Sequence, residues 1–275
     1  PLNISQRYFA RPAFKFSRDL DNLYRDGNRV AQYEVSEYYG QFDLGVNFGT
    51  RAQLFTGFRT GNIDAKVETG PSILPEVDSE RDTSGVAGLY YDTRDNPGLP
   101  TSGTLLNVNY RHSGSSLGGE QNYSLAEGLV RKSFPWRGDS LTFGLSGGAE
   151  LSGTLTVLED FQLGGIRSFP GLQTGELRGT SYWVAGTIYQ WKLSDIQTLF
   201  DQALYAGLRL TAGRMGEPID GVNRGTLRGI ATSLSGRTPV GPFLLSLGYV
   251  NDNTWALQFA FGRPVGEGNL SDGIR

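Results

Sequence analysis

Apolar and polar residues alternate along most of this chain, and the alternation is interrupted every ten to twenty residues by clusters of Gly, Asn, Asp and Pro. A period of two places successive side chains on opposite faces of a strand, so the pattern predicts strands separated by turns. From Tyr8 to Arg18, Tyr8, Ala10, Phe14 and Phe16 share one face and Arg11 and Lys15 the other, with Pro12 marking an edge strand or a bulge. Asp19 to Arg29 reads as a polar loop. Val30 to Phe48 follows, with Phe42, Leu44, Val46 and Phe48 on one face. Its upper half, around Tyr33 and Val35, is in the opposite phase, which predicts a bulge near Tyr39-Gly40. After a tight turn at Gly49-Thr50, Arg51 to Glu68 sends Leu54, Thr56 and Phe58 outward and Gln53 and Arg59 inward. Gly70 to Asp82 reads as a long acidic loop.

The later segments repeat the pattern. Strands are expected at Ser84 to Arg94, Thr104 to His112, Gln121 to Phe134, Ser140 to Ser152, Tyr182 to Leu193 and Ala203 to Gly213. Three more are expected at Arg228 to Thr238, Phe243 to Val250 and Thr254 to Gly262. In the strand from Gln121, Glu127 spoils one face and leaves the phase undetermined. In the last strand Trp255, Leu257, Phe259 and Phe261 face outward, with Gln258 and Ala260 inward. The total is about twelve strands, an even number as single-chain bacterial membrane barrels have. Connections near residues 20, 75, 115, 165 and 220 are long, and those between them short, as periplasmic turns and external loops alternate in such barrels.

Composition narrows the choice between a soluble β-rich domain and a membrane barrel. The chain has 275 residues, 39 of them Gly, and 12% are aromatic. No apolar run approaches the roughly 20 residues of a spanning helix, but a barrel wall needs only every second residue to face lipid. Trp183, Tyr189, Trp191 and Trp255 read as an interfacial girdle. A net charge of −3, without a basic stripe, argues against nucleic acid as a partner. One histidine and no cysteine leave little basis for a transition-metal site. The acidic stretch Glu76 to Asp82 reads as solvated rather than as a calcium site, and no cofactor is expected.

One segment does not fit a plain wall. Between about Thr154 and Gly179, Gly165, Ile166, Arg167, Ser168 and Phe169 concentrate a guanidinium and an aromatic among glycines. A barrel of twelve or more strands has a lumen too wide for its own side chains to fill. This long loop is therefore expected to fold into the lumen. A guanidinium in such a space needs a partner, and a carboxylate suits it bidentately; Glu150 on the preceding wall strand is the candidate.

Three segments resemble the outer-membrane protein-assembly and two-partner-secretion transporter superfamily. Tyr91 to Gly103 (YDTRDNPGLPTSG) is similar to its strand–turn–strand signature, and Gly165-Ile-Arg-Ser-Phe169 to its lumen loop tip. Thr238-Pro-Val-Gly-Pro-Phe243, with the aromatic terminal strand after it, is similar to its assembly signal. The likeness covers about residues 8–263. Tyr8-Phe-Ala-Arg-Pro-Ala, Tyr24-Arg-Asp-Gly and Arg29-Val-Ala-Gln-Tyr-Glu-Val look most like the barrels of patatin-like autotransporters.

The resemblance implies an all-β transmembrane antiparallel barrel in the bacterial outer membrane, over residues 1–263, followed by a C-terminal tail, 264–275. The family barrel has about sixteen strands, an even count, so N-terminal strands are expected upstream of Pro1. It further implies a barrel that translocates or inserts polypeptide and exports an N-terminal passenger such as a patatin-like lipase. Its expected partners are lipid, the passenger, and the barrel-assembly machinery engaging Trp255, Leu257, Phe259 and Phe261 of the terminal strand. Two residues depart from the family pattern. Ser168 replaces the loop-tip glycine, and Arg209 stands where many relatives place an acidic partner for the loop arginine.

Two other classes compete. A passive porin has the same wall but no use for the Arg167 loop. A barrel-embedded phospholipase is suggested by Gly114-Ser-Ser-Leu-Gly118, near His112, and by Gly144-Leu-Ser-Gly-Gly148, both matching G-x-S-x-G. A nucleophile elbow requires a strand-to-helix turn, and neither context offers one, so no catalytic residue is expected in this segment.

Overall fold

A computed structural model describes residues 2–3, 7–25, 27–71, 76–97, 99–153, 160–194, 204–238 and 241–262. The tail 264–275, and residues 239–240 of the turn expected at Pro239 to Pro242, lie outside them. All twelve expected strands are present, as β2 (Tyr8–Arg25), β3 (Asn28–Phe48), β4 (Ala52–Thr69), β5 (Val77–Asp92), β6 (Gly103–Ser113), β7 (Tyr123–Trp136), β8 (Asp139–Gly153), β10 (Leu177–Ser194), β11 (Leu204–Pro218), β12 (Leu227–Thr238), β13 (Gly241–Val250) and β14 (Trp255–Phe261). Two short strands are added, β1 (Leu2–Asn3) and β9 (Phe161–Leu163). The sheet follows chain order, with β9 attached to β10 off the main path. The pairings between β1 and β5 and between β9 and β14 are antiparallel.

Three expectations are corrected. Asp19 to Arg25 is strand, not loop: β2 pairs with β3 up to Arg25↔Asn28, and Gly27 takes a φ of +75°. A glycine with positive φ at this point suits the turn of the hairpin. Val77 to Asp82 likewise belongs to β5, so the acidic stretch is wall rather than solvated loop. No bulge occurs at Tyr39-Gly40, where pairing runs in register on both sides. The shifts lie at Leu23/Tyr24 and Gln32/Tyr33.

The phase change in β3 has a different cause. Odd-numbered residues keep the inner face throughout. Near the strand's start they are apolar (Ala31, Tyr33, Val35) and cluster with Ile63 and Ala65 of β4. Further along they are charged, with Glu37 and Asp43 buried. The outer face does the reverse, from the Arg18–Glu34 pair to exposed Tyr38, Phe42, Leu44 and Phe48. The strand is long enough for a distal part, polar outside, to extend past an apolar band.

Two compact units divide the chain. In the first, built on Pro1–Tyr91 with Leu106–Gly128 and Gly148–Asp160, Phe14 is 89% exposed and Phe16 76% on the outer face. Pro12 pairs with Phe42 on one side. On the other side of β2, β1 pairs with Phe9 and Ala10. The strand from Gln121 is now phased: Tyr123, Leu125, Glu127 and Leu129 are buried, while Val130 and Phe134 are exposed. Glu127 therefore belongs to the inner face.

In the second unit the turn Asp92–Leu105 is fastened by its own side chains. Arg94 meets Asp92 through Nε (3.0 Å) and Nη2 (2.8 Å). Asp95 accepts the N–H groups of Asn96 (2.9 Å), Thr101 (3.0 Å) and Ser102 (3.1 Å), and the Thr101 hydroxyl. Burial pushes the Asp95 carboxyl up, but these hydrogen bonds outweigh it and hold its pKa below the ordinary value.

Candidate functional site

The loop between β8 and β10 is the centre of the second unit's inner face. It begins with β9, which pairs with the start of β10 through Phe161↔Gly179 and Leu163↔Leu177. The tip then closes as one tight turn: the Phe169 N–H donates to Gly165 O (3.1 Å), and the Gly165 N–H to Leu172 O (3.0 Å). Gly165 has a φ of +88° and Gly171 of +105°, conformations a side chain resists. Ser168 donates its hydroxyl to Gly164 O at 2.5 Å and accepts the Gly164 N–H at 3.2 Å. A serine in place of glycine thus ties the tip to its own stem.

Phe169 is fully buried, in a cluster with Leu163, Leu172, Leu177, Val184, Met215, Leu227 and Val250. What admits it is a row of glycines on three neighbouring strands. A Cβ on Gly213 of β11 would meet the Phe169 ring at 3.2 Å, and one on Gly229 of β12 at 3.0 Å. On Gly248 of β13 it would lie 2.5 Å from Gly171 N and Pro170 C. These glycines let ring and backbone lie directly on the sheet. Gln258 of β14 adds a hydrogen bond from Nε2 to Leu172 O (2.9 Å). Near the loop's return, Arg224 reaches Glu176 (3.4 Å) and Asp252 (3.5 Å).

Arg209 has a role that the sequence hides. From the inner face of β11 it donates to the carbonyls of Ile166 (3.3 Å), Arg167 (3.0 Å) and Ser168 (2.6 Å), and through Nε to Thr211 Oγ1 (3.1 Å). The sequence marks Arg209 as standing in the place of an acidic partner, but not what it binds, because its ligands are backbone carbonyls. Arg167 and Ile166 are half-buried at the tip, and Glu150 is half-buried on β8. Trp255 (68% exposed), Leu257, Phe259 and Phe261 form the outer face of the terminal strand. Tyr189 stands perpendicular to Trp191 at 5.3 Å and donates its hydroxyl to Asp139 (2.6 Å).

The chain matches the model of the Omp85 superfamily domain over residues 2–263. It belongs to that superfamily. The barrel is therefore a bacterial outer-membrane β-barrel with its long loop on the inner face of the wall. Among solved structures it resembles BamA from Haemophilus ducreyi lacking POTRA domains 1–3, at TM-score 0.69 and 14% identity, covering 92% of this chain and 58% of that one. It also resembles CdiB from Escherichia coli, at TM-score 0.65 and 15% identity, covering 92% of this chain and 49% of that one. At such identity the likeness is one of fold. This Omp85 chain spans about half the length of these two structures. Comparison with curated protein sequences gave no match.

The first unit carries charges that sequence reading left unpaired. Arg11 pairs with Asp43 (2.8 Å), and Lys15 with Glu37 (2.9 Å). Arg59 contacts Glu37, and its Nε lies 3.4 Å from Asp82. Arg111 lies 3.8 Å from Asp82, whose Oδ1 accepts the Tyr123 hydroxyl at 3.2 Å. The Arg11–Asp43 and Glu37 contacts depend on a hairpin register, Arg25↔Asn28 at its end, that becomes readable only once β2 and β3 are known to continue to that point. The acidic stretch thus ends in Asp82 as an ion-pair residue, and among the described residues no metal-binding group of acids and histidines forms.

Neither G-x-S-x-G match lies on a strand-to-helix turn of the nucleophile-elbow kind. Gly114 and Gly118 flank a single 3-10 turn, Ser115–Leu117, and Gly144–Gly148 lies inside β8. His112 Nδ1 faces Ser124 Oγ at 2.8 Å, which in turn accepts the Ser152 hydroxyl (3.1 Å). The lone histidine is part of a wall hydrogen-bond chain.

Proposed function

We infer that the barrel translocates or inserts polypeptide across or into the outer membrane, and that its passenger is an N-terminal module such as a patatin-like lipase. The observation that carries this reading is the inner loop seated on glycines. A wall with side chains removed where a loop lies is a wall adapted to an occupant, and a passive porin has no need of one. Membership of the Omp85 superfamily and the fold likeness to BamA and CdiB support it. Lipid and the passenger are the proposed partners. The aromatic face of Trp255, Leu257, Phe259 and Phe261, on the last strand, is the proposed contact for the barrel-assembly machinery.

The loop tip Gly165, Ile166, Arg167, Ser168 and Phe169 acts as the occupant. Arg167 holds it to the wall through a carboxylate, with Glu150 the proposed partner; a buried guanidinium without one is strongly unfavourable. The test is single-channel conductance in planar bilayers for the parent and Arg167→Ala. A plugged transporter becomes leakier or assembles poorly, whereas an unchanged open state identifies a passive porin. Glu150→Gln tests the partner and should reproduce the Arg167→Ala phenotype in part. Lipase activity of detergent-solubilised protein that disappears in Ser116→Ala would establish the enzyme alternative instead.

A further inference from the structure

Three successive carbonyls at the loop tip converge on one side chain from the wall. Ile166, Arg167 and Ser168 belong to the turn closed by the Phe169 N–H to Gly165 O bond. Like the last turn of a helix, it leaves its carbonyls without partners within the turn and concentrates partial negative charge there. A buried carbonyl left unpaired is costly, and a cation near such an end satisfies it. Arg209 does so with both terminal nitrogens, at 2.6–3.3 Å, while Nε is occupied by Thr211.

We propose that Arg209 is a latch of the inner loop that grips the tip through its backbone carbonyls. This rests on the reading of the loop as a displaceable occupant of the wall. It places a second positive group on the wall side, in addition to the proposed contact of the loop's Arg167 with a wall carboxylate. The planar fork of a guanidinium spans three carbonyls; a lysine ammonium is a point charge on a flexible stem and does not reproduce that geometry. Since the contacts are to carbonyls, the identities of residues 166–168 matter little to the latch, and a serine at position 168 is compatible with it.

The chain has no cysteine, so Ile166→Cys introduces a single thiol at the tip. Its labelling rate by a hydrophilic, membrane-impermeant maleimide is measured for the protein in lipid, in the parent and in Arg209→Met, Arg209→Lys and Leu210→Ala backgrounds. Folding of each is checked by the heat-dependent gel mobility of the barrel. Leu210 is 49% exposed on the outer face of the same strand, and its variant should label like the parent. Arg209→Met should label about tenfold faster or more, as expected when charge-assisted hydrogen bonds are lost from the closed state. Arg209→Lys should fall between.

A folded Arg209→Met that labels at the parental rate overturns the latch. If that variant does not fold, Arg209→Lys decides: parental labelling overturns the proposal, and faster labelling supports it. Passenger export, scored separately, reports on the function. Faster labelling in a protein whose parent exports no passenger leaves the latch standing and removes the transport reading.

Discussion

The inner faces of the two compact units are filled in opposite ways. In the first, long charged side chains of β2–β5 fill it themselves: Arg11, Lys15 and Arg59 are matched to Asp43, Glu37 and Asp82. In the second, Gly213, Gly229 and Gly248 hold no side chain at all, and the loop occupies the space. What lies over a wall is thus imprinted on its residues. A face that packs against itself uses charge and length, whereas one that receives a segment uses small residues and a few donors aimed at its backbone, here Arg209 and Gln258.

The contrast can be broken from either side. The largest effect is expected for Glu37→Ala, which removes the partner of both Lys15 and Arg59. Breaking a buried pair by deleting one member costs about 3–5 kcal/mol, because Arg59 is only 3% exposed. The urea midpoint of the barrel's heat-dependent gel mobility should fall accordingly. An unshifted midpoint would mean that these charges are solvated in the membrane.

A smaller effect is expected for Gly248→Ala. The added methyl meets loop backbone rather than a flexible side-chain end, and overpacking of this kind costs about 1–3 kcal/mol. The strain should appear as protease sensitivity of the loop while the wall stays folded. Phe169→Ala, which leaves a cavity instead, should loosen the same loop without strain, and an undisturbed loop in both variants would remove the glycine row from the account.

The smallest effect lies outside both inner faces. Asp95 titrates below its ordinary value, so its stabilisation of the β5–β6 turn is present above pH about 4 and fades as pH falls through its folded pKa. Asp95→Asn should lose this acid sensitivity, read by hydrogen exchange of the Thr101 and Ser102 amides.

The wall was legible because a period of two survives any error in loop length: every expected strand is present, and Trp255, Leu257, Phe259 and Phe261 face outward as their spacing demands. Partners across strands were not legible. Placing Arg11 opposite Asp43 requires the register, and register follows from where a hairpin turns. The polar run Asp19 to Arg25 looked like solvent-exposed chain because β2 and β3 continue beyond their apolar outer band. Arg209 was marked as a departure from the family pattern, but its ligands were not legible, since they are carbonyls that any residue supplies.

The loop rests on the chain's last hairpin as well as on earlier strands: Pro170 and Gly171 lie against Gly248 of β13, and Leu172 accepts from Gln258 of β14. Prying that hairpin outward would withdraw the floor from under the loop at the same stroke. Displacing that hairpin and loosening the occupant are then one motion, while Arg209 on β11 keeps its grip on the tip.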